Sequence, residues 1–381
     1  MDKLTLFLLI TLLGSWITPF AQPTFRSQLL CVDNNEGCTL ADVNRDGKTD
    51  VIAGRLWYEA PEFVPRPLRP LRLHGTDYAT NNGEHSYDVD QDGYPDILTT
   101  GWDDPHVYWY KNPGAEALQK GLEWKGSALA NTQNTHSEAA YLEDLDGDGV
   151  PEYIMNSWDA RIPFTVWRME KDLFEHPSLI GTLIGPHNSH GVGFGDINGD
   201  GQKDILIDTG WYEQPDGDIW EGNWTFHSDL SLDRGSCPMQ IVDVNGDGRN
   251  DIIWGKGHDY GLYWMEQQEP KGEITQWVKH TIDESWSQVH ALSWADLDGD
   301  GKHELLTGKR KYAHSGKDPG ADETAYIYSY SWNSTTDSFD RTTIAEGIGT
   351  GLFIRVADLN QDQKADIVVA GKTGTYILWQ E

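Results

Sequence analysis

Seven short acidic segments carry oxygen-bearing side chains at their first, third, fifth and ninth positions. They are Asp42, Asn44, Asp46 and Asp50; Asp88, Asp90, Asp92 and Asp96; Asp144, Asp146, Asp148 and Glu152; Asp196, Asn198, Asp200 and Asp204; Asp243, Asn245, Asp247 and Asp251; Asp296, Asp298, Asp300 and Glu304; and Asp358, Asn360, Asp362 and Asp366. Hard oxygens at alternate positions of a tight turn suit calcium, with magnesium the alternative. In six segments a glycine after the fifth position allows the left-handed backbone of a tight cage, and Gln363 replaces it in the seventh. A calcium-binding helix-loop-helix would need a bidentate Glu at position twelve, where this chain is never acidic, so that motif is excluded. A turn that merely faced water would not need all four oxygens together.

Histidine offers a second chemistry. Counting back from the first Asp of a segment, His190 and His290 lie six residues upstream, His136 eight and His85 three. Six and eight share a parity, so on regular strands His136, His190 and His290 face the same way, and His85 joins them only through a bulge or turn. Imidazoles gathered from separate repeats suit zinc or another divalent transition metal with one position open to water or substrate. The alternative is that they bond inner-strand backbone or stack in a channel.

Further downstream in the repeats lie Trp102, Asp103, Asp104 and His106, then Trp158, Asp159 and Arg161, then Lys256, His258, Asp259 and Tyr260, and finally Lys309, Arg310, Lys311, Tyr312 and His314. Flat rings stack on the C–H faces of sugars, and charged groups orient hydroxyls or carboxylates. Trp102, Asp103, Trp158, Arg161, Lys256, Lys309, Arg310 and His314 are therefore expected to touch a carbohydrate substrate or glycan. Solvated loop tips are the alternative for the Lys309 to Lys311 run.

The elements that must position these groups follow from the spacing. The acidic segments begin 46, 56, 52, 47, 53 and 62 residues apart, a period that fits a four-stranded blade plus variable loops. Each runs into a β-branched apolar stretch, such as Ile205 to Asp208, and no long amphipathic helix pattern competes. The expected fold is all-β, a seven-bladed β-propeller. After the seventh segment only Ile367 to Ala370 and Tyr376 to Trp379 read as strands, so Phe25 to Leu30 is expected to complete the last blade. The acidic turns then share one face. The segments leading into the first strands, and the loops from second to third strands, share the other. The repeated Trp57-Tyr58-Glu59 and Trp211-Tyr212-Glu213 read as packing between blades.

The net charge of −32 is largely local, since the seven segments hold 24 of the 61 acidic residues. Such a surface argues against nucleic-acid binding, which needs clustered Lys and Arg. Lys3 and the apolar run Leu4 to Ile17 read as a signal peptide cleaved near Ala21, giving residues 1–21 as leader and 22–381 as one propeller, secreted, periplasmic or on the cell surface. Fourteen apolar residues are short for a membrane anchor, and no later stretch could span a bilayer. Cys31 and Cys38 are close enough in sequence to pair, leaving Cys237 single. A monomer or small homo-oligomer is expected.

The acidic segments resemble the FG-GAP/VCBS repeats of integrin α-subunit propellers and of secreted bacterial proteins, over essentially the whole mature chain. More narrowly, His190-Gly191-Val192-Gly193-Phe194-Gly195-Asp196-Ile197-Asn198-Gly199-Asp200-Gly201 followed by Gly210-Trp211-Tyr212-Glu213-Gln214-Pro215 is similar to the propeller part of aldos-2-ulose dehydratase-type proteins. That resemblance implies β-elimination from an oxidised sugar at a metal site in the funnel. Its additional C-terminal region has no counterpart in this chain, so no isomerase function is expected. For such chemistry His85, His136, His190 and His290 would form the metal shell, with His136 and His190 also counted as catalytic. His258 or His187 would take the proton, and Tyr260 or Tyr312 would return one to the leaving oxygen. The rival expectation is a calcium-stabilised binding propeller without chemistry, since one fold hosts both.

Overall fold

The apolar run after each acidic segment becomes the second strand of a four-stranded antiparallel sheet, and the computed structural model contains seven such sheets. It describes residues 22–74, 78–172, 176–271 and 274–381; the expected leader, residues 1–21, lies outside the described residues. Blade four shows the plan. Its strands are Val192–Gly195, Asp204–Ile207, Gly210–Glu213 and Thr225–His227, in that spatial order. Ile205, Leu206 and Ile207 are all fully buried. Both faces of the strand are therefore covered by neighbouring blades, and each such side chain contributes ~1.5–3 kcal/mol relative to exposure.

Blade seven takes strands from both ends of the chain. Ile354–Ala357, Asp366–Gly371 and Gly374–Gln380 are joined by Phe25–Cys31, which pairs antiparallel from Phe25 opposite Gln380 to Leu29 opposite Tyr376. The ring thus holds its first and last segments in one sheet, leaving only short outer edges.

The ninth residue of each acidic segment begins the second strand and accepts from the turn's backbone, and Asp50, Asp96, Asp204, Asp251 and Asp366 also tie it to the third strand or the residue after it. In blade four, Asp204 Oδ2 accepts the Ile197 N–H at 2.8 Å and Oδ1 accepts the Gln214 N–H at 3.0 Å. In blade one, Asp50 accepts from Val43 at 2.9 Å and Ala60 at 2.8 Å. A buried carboxylate in this position pins the hairpin whatever else it binds.

Cys31 and Cys38, close enough in sequence to pair, are not joined, and all three cysteines are free thiols. Cys31 ends the outer strand of blade seven, with its thiol directed at Asp33. Cys38 precedes the inner strand of blade one, and its thiol approaches the backbone carbonyls of Phe353 and Val368. Among the described residues no helix is long and apolar enough to cross a membrane.

Candidate functional site

Six residues before each acidic segment the chain stands at or just before an innermost strand. Around the ring that position holds Glu36, Asn82, Glu138, His190, Cys237, His290 and Leu352. Glu138, His190 and His290, from blades three, four and six, converge with His258 of blade five, each offering a ligand atom within 4.8 Å of the others. His290 reaches this point because its strand Val289–Ala295 is bulged: Val289 faces Lys309, Ala291 faces Gly308, and His290 is the extra residue between.

The hydrogen bonds orient the imidazoles. His190 Nδ1 lies 2.7 Å from the Gly235 carbonyl, which can only accept, so Nδ1 carries a proton and Nε2 faces inward. His258 Nδ1 lies 2.9 Å from Asp318 Oδ2, which likewise turns its Nε2 inward. Those two Nε2 atoms stand 3.0 Å apart and lie 2.7 and 3.3 Å from Glu138 Oε2. His290 Nε2 is 3.4 Å from Glu138 Oε1. Inward lone pairs at that separation repel unless a proton or a cation lies between them. Outer nitrogens held by a carbonyl and a carboxylate, with inner nitrogens grouped around a carboxylate, fit a divalent transition metal.

The surroundings are strongly charged. Arg310 donates through Nε and Nη2 to Glu36 at 2.9 Å each, and through Nη1 to Glu138. Burial alone would raise the Glu138 carboxyl, but the charges of Arg310, His190 and His258 outweigh it and hold the carboxyl well below its usual range. Burial works against a charged His258 too; Glu138 and the bond to Asp318 win, raising it to about 9. His290 is pushed down to about 3 by burial and then by Arg310. Two adjacent imidazoles are thus driven in opposite directions, a separation typical of sites that move protons.

On the opposite face the acidic turns are ordered by their own oxygens. In blade four Asp196 accepts from Asp200 N–H at 3.1 Å and Gly201 N–H at 2.8 Å. Carboxylate oxygens of Asp88, Asp90 and Asp96, of Asp144, Asp146 and Glu152, and of Asp296, Asp298 and Asp300 approach within 4.8 Å of one another. In the segments with Asn44, Asn198 and Asn245 at the third position a third-strand glutamate accepts from it, as Glu59 does from Asn44 at 3.2 Å and Glu213 from Asn198 at 3.2 Å. Where it is Asp90, Lys111 pairs with it.

A family model for the FG-GAP-like repeat matches residues 88–155, 144–207 and 243–307, each span reaching from one acidic segment into the next repeat. The chain is a seven-bladed propeller, and these three spans of it match FG-GAP-like repeats. No curated protein matches it. Among solved structures, the chain is similar to the crystal structure of the exotype rhamnogalacturonan lyase YesX, with 12% identity and a TM-score of 0.47, over 95% of this chain and 73% of that one.

Several residues expected at the centre of the propeller stand elsewhere. His85 is spent in the core: Nε2 lies 2.8 Å from the Ala140 carbonyl, with the ring edge-on to Phe353 and Tyr153. Burial and Arg355 push it down to about 3, a neutral packing histidine. His136 sits in irregular backbone before the strand Ala140–Glu143, so strand parity does not govern it. Its ring lies edge-on to Trp158, and Glu138 takes the place in the cluster. His187 packs on Phe226 at 4.4 Å.

The expected proton donors are also placed apart from the cluster. The Tyr260 hydroxyl donates to Glu323 at 2.6 Å, and Tyr312 is exposed with φ of 59°. Of the expected sugar contacts, Trp102 packs on His74, Asp103 pairs with Arg72 at 2.6 Å, and Lys256 pairs with Asp233 at 2.9 Å. Trp158 is exposed, and Arg161 pairs with Asp159 at 2.6 Å. Lys309 is buried against Ser287 Oγ at 2.6 Å. His314 bonds Asp318 at 2.9 Å and stacks on His258 at 4.4 Å.

Glu138, Glu36 and Asp318 were absent from the expected set. The first two share the six-residue offset of His190 and His290, so aligning the repeats on their acidic segments would have found them. Cavities of about 590 and 300 Å³ lie beside Asn198 and Glu213 and beside Asn44 and Glu59. Both of these cavities open on the turn face, whereas the ligand atoms that converge from four blades lie on the histidine face.

Proposed function

We propose that this chain is a carbohydrate-active carbon–oxygen lyase or dehydratase that carries out metal-assisted β-elimination on an oxidised sugar, a keto-sugar, keto-glycoside or uronate, outside the cytoplasm. The observation that carries the reading is the meeting of Glu138, His190, His258 and His290 from four blades around one point. Glu138, His190 and His290 would hold a zinc ion or similar divalent metal, and calcium would occupy the acidic turns. Bound there, the transition metal supplies Lewis acidity to the negative charge that develops when a carbon acid is deprotonated.

The chain's own groups account for the proton. Asp318 holds Nδ1 of His258 and leaves Nε2 facing the centre; with a dication in place of the proton that Glu138 otherwise stabilises there, that Nε2 would take the proton from the carbon and return it to the departing oxygen. Arg310 and Glu36 hold Glu138 in place through a buried fork. Burial around Arg310, His190 and His290 keeps water from competing for these groups.

Elemental analysis of the purified chain beside His190→Ala tests the reading. One transition metal per chain, lost in the variant while calcium stays, is expected. Calcium alone in both would favour the binding propeller. Ultraviolet absorbance of an unsaturated product on keto-glycosides or uronate polymers then tests the chemistry, and the absence of any new chromophore would sink the elimination. The leader expected at residues 1–21 predicts a mature N-terminus near Gln22, readable by sequencing exported protein.

A further inference from the structure

The bonds described above hold the side chains of the centre; a second set holds the backbones that carry them. Asn156 directly follows the strand Glu152–Met155 of blade three and is fully buried. Its Oδ1 accepts from the Glu138 N–H at 2.8 Å and the Ala139 N–H at 2.9 Å, and its Nδ2 donates to the His190 carbonyl at 2.6 Å. The backbone dictates that orientation, because an N–H can only donate and a carbonyl can only accept. One amide thus ties Glu138 of blade three to His190 of blade four.

Asp208 fills the same place one blade on, since both residues stand twelve after the first Asp of their acidic segments. Its Oδ2 accepts from the Gly191 N–H at 3.3 Å and its Oδ1 from the Gly235 N–H at 2.8 Å, while its own N–H donates to Ser189 Oγ at 2.8 Å. Asp208 therefore grips the residues on both sides of His190, and also Gly235, whose carbonyl accepts from His190 Nδ1. A Cβ on Gly235 would stand 2.7 Å from Asp208 Oδ1, so glycine is what lets the carboxylate close on this backbone.

The other blades show that packing does not require such side chains. Their matching positions hold Gly54, Gly255, Gly308 and Ala370, and Thr100, which donates to the His106 carbonyl of its own blade at 3.0 Å. A buried amide and a buried carboxylate are costly where glycine or alanine suffices. They stand in the two blades that bring Glu138 and His190 to the cluster. We propose that Asn156 and Asp208 are positioning residues that fix Glu138 and His190 relative to each other for one divalent transition metal before it binds. The assignment rests on the metal-centre reading above and adds to it two residues outside the ligand set.

Competition titration of the purified chain with zinc(II), and the visible absorption of the chain loaded with cobalt(II), form the test. Asn156→Ala should weaken zinc ~10–100-fold and alter the cobalt spectrum, which reports the geometry of the ligands. Asp208→Asn should fall at the lower end of that range, because its amide accepts from one N–H and sets a donor against the other. It is the variant to read if Asn156→Ala does not fold. Asn112 supplies the control: it is a buried asparagine on the turn face that also ties two blades, its Nδ2 donating to the Val43 carbonyl at 3.0 Å and the Pro95 carbonyl at 3.1 Å. Asn112→Ala should lower the melting temperature comparably and leave zinc affinity and the cobalt spectrum unchanged. Asn156 and Asp208 variants with wild-type affinity and spectrum, or an Asn112→Ala chain that loses zinc as readily, would overturn the assignment and leave the metal centre standing. A wild-type chain that takes up neither zinc nor cobalt would overturn both. Weakened metal binding in the variants, with no unsaturated sugar product from the wild type, would sink the elimination and keep the positioning role.

Discussion

Removing divalent ions should make this protein less stable as the pH rises from about 4 to 7, the opposite of ordinary acid denaturation. The cause is the ninth residue of the acidic turns. Burial raises Asp204 from 3.8 to about 7, with the charges of Asp200 and Asp196 adding to the effect after its backbone bonds oppose it. Asp50, Glu152, Asp251 and Glu304 rise to about 7 as well, and Asp96 to about 6. The folded, ion-free chain then holds these protons up to about pH 7, while the unfolded chain releases them near pH 4. Between those values the folded state binds more protons, so stability falls with rising pH.

At about 1.4 kcal/mol per tenfold, the rise at Asp204 corresponds to ~4 kcal/mol, which we halve to ~2 kcal/mol because water reaches the turn's rim. Calcium reverses the preference by favouring the ionised carboxylate. Differential scanning calorimetry at pH 5 and pH 8, with calcium or with chelator, gives the comparison. The chelated chain should melt lower at pH 8 than at pH 5, and calcium should abolish that drop. Asp204→Asn sharpens the test. Its amide must set one N–H against a backbone N–H, a cost of ~1–3 kcal/mol in both conditions, so the quantity to follow is the gap between calcium and chelator. That gap should shrink by the share of blade four. Equal melting with and without calcium at pH 8 would refute the reasoning, as would a chelated chain that gains stability with pH.

Glu138→Gln removes the charge that the imidazoles and Arg310 surround, and should weaken transition-metal binding at least ~100-fold in a competition titration; unchanged affinity would dissolve the centre. Asp318→Asn should keep one metal per chain at similar affinity and slow product formation ~10–100-fold, because Asp318 orients His258, the proton-carrying group, from outside the ligand set; a lost metal would place His258 among the ligands. His136→Ala should leave metal content unaltered, and a loss there would restore it as a ligand. His85→Ala should cost ~1–3 kcal/mol in denaturant unfolding through its lost bond and packing, again without loss of metal.

Much of the architecture was legible in the chain itself. Each acidic turn followed by a β-branched run is a local code, read by neighbouring residues within one hairpin, and seven repetitions set the number of blades. The stray strand Phe25–Cys31 could be placed because its blade was otherwise one strand short. Convergence at the axis is a different kind of fact. It depends on how separate blades tilt toward one another, and short-range periodicity carries no record of that. His190 and His290 do meet, but not through strand parity: His190, like His136, lies before its strand begins, and His290 arrives through a bulge. Asp318 and His258 come together over 60 residues, and Arg310 and Glu36 over 274. Composition announced those charges, but only closure of the ring, which turns the start of blade one and the loop after the second strand of blade six toward the same axis, could make them partners.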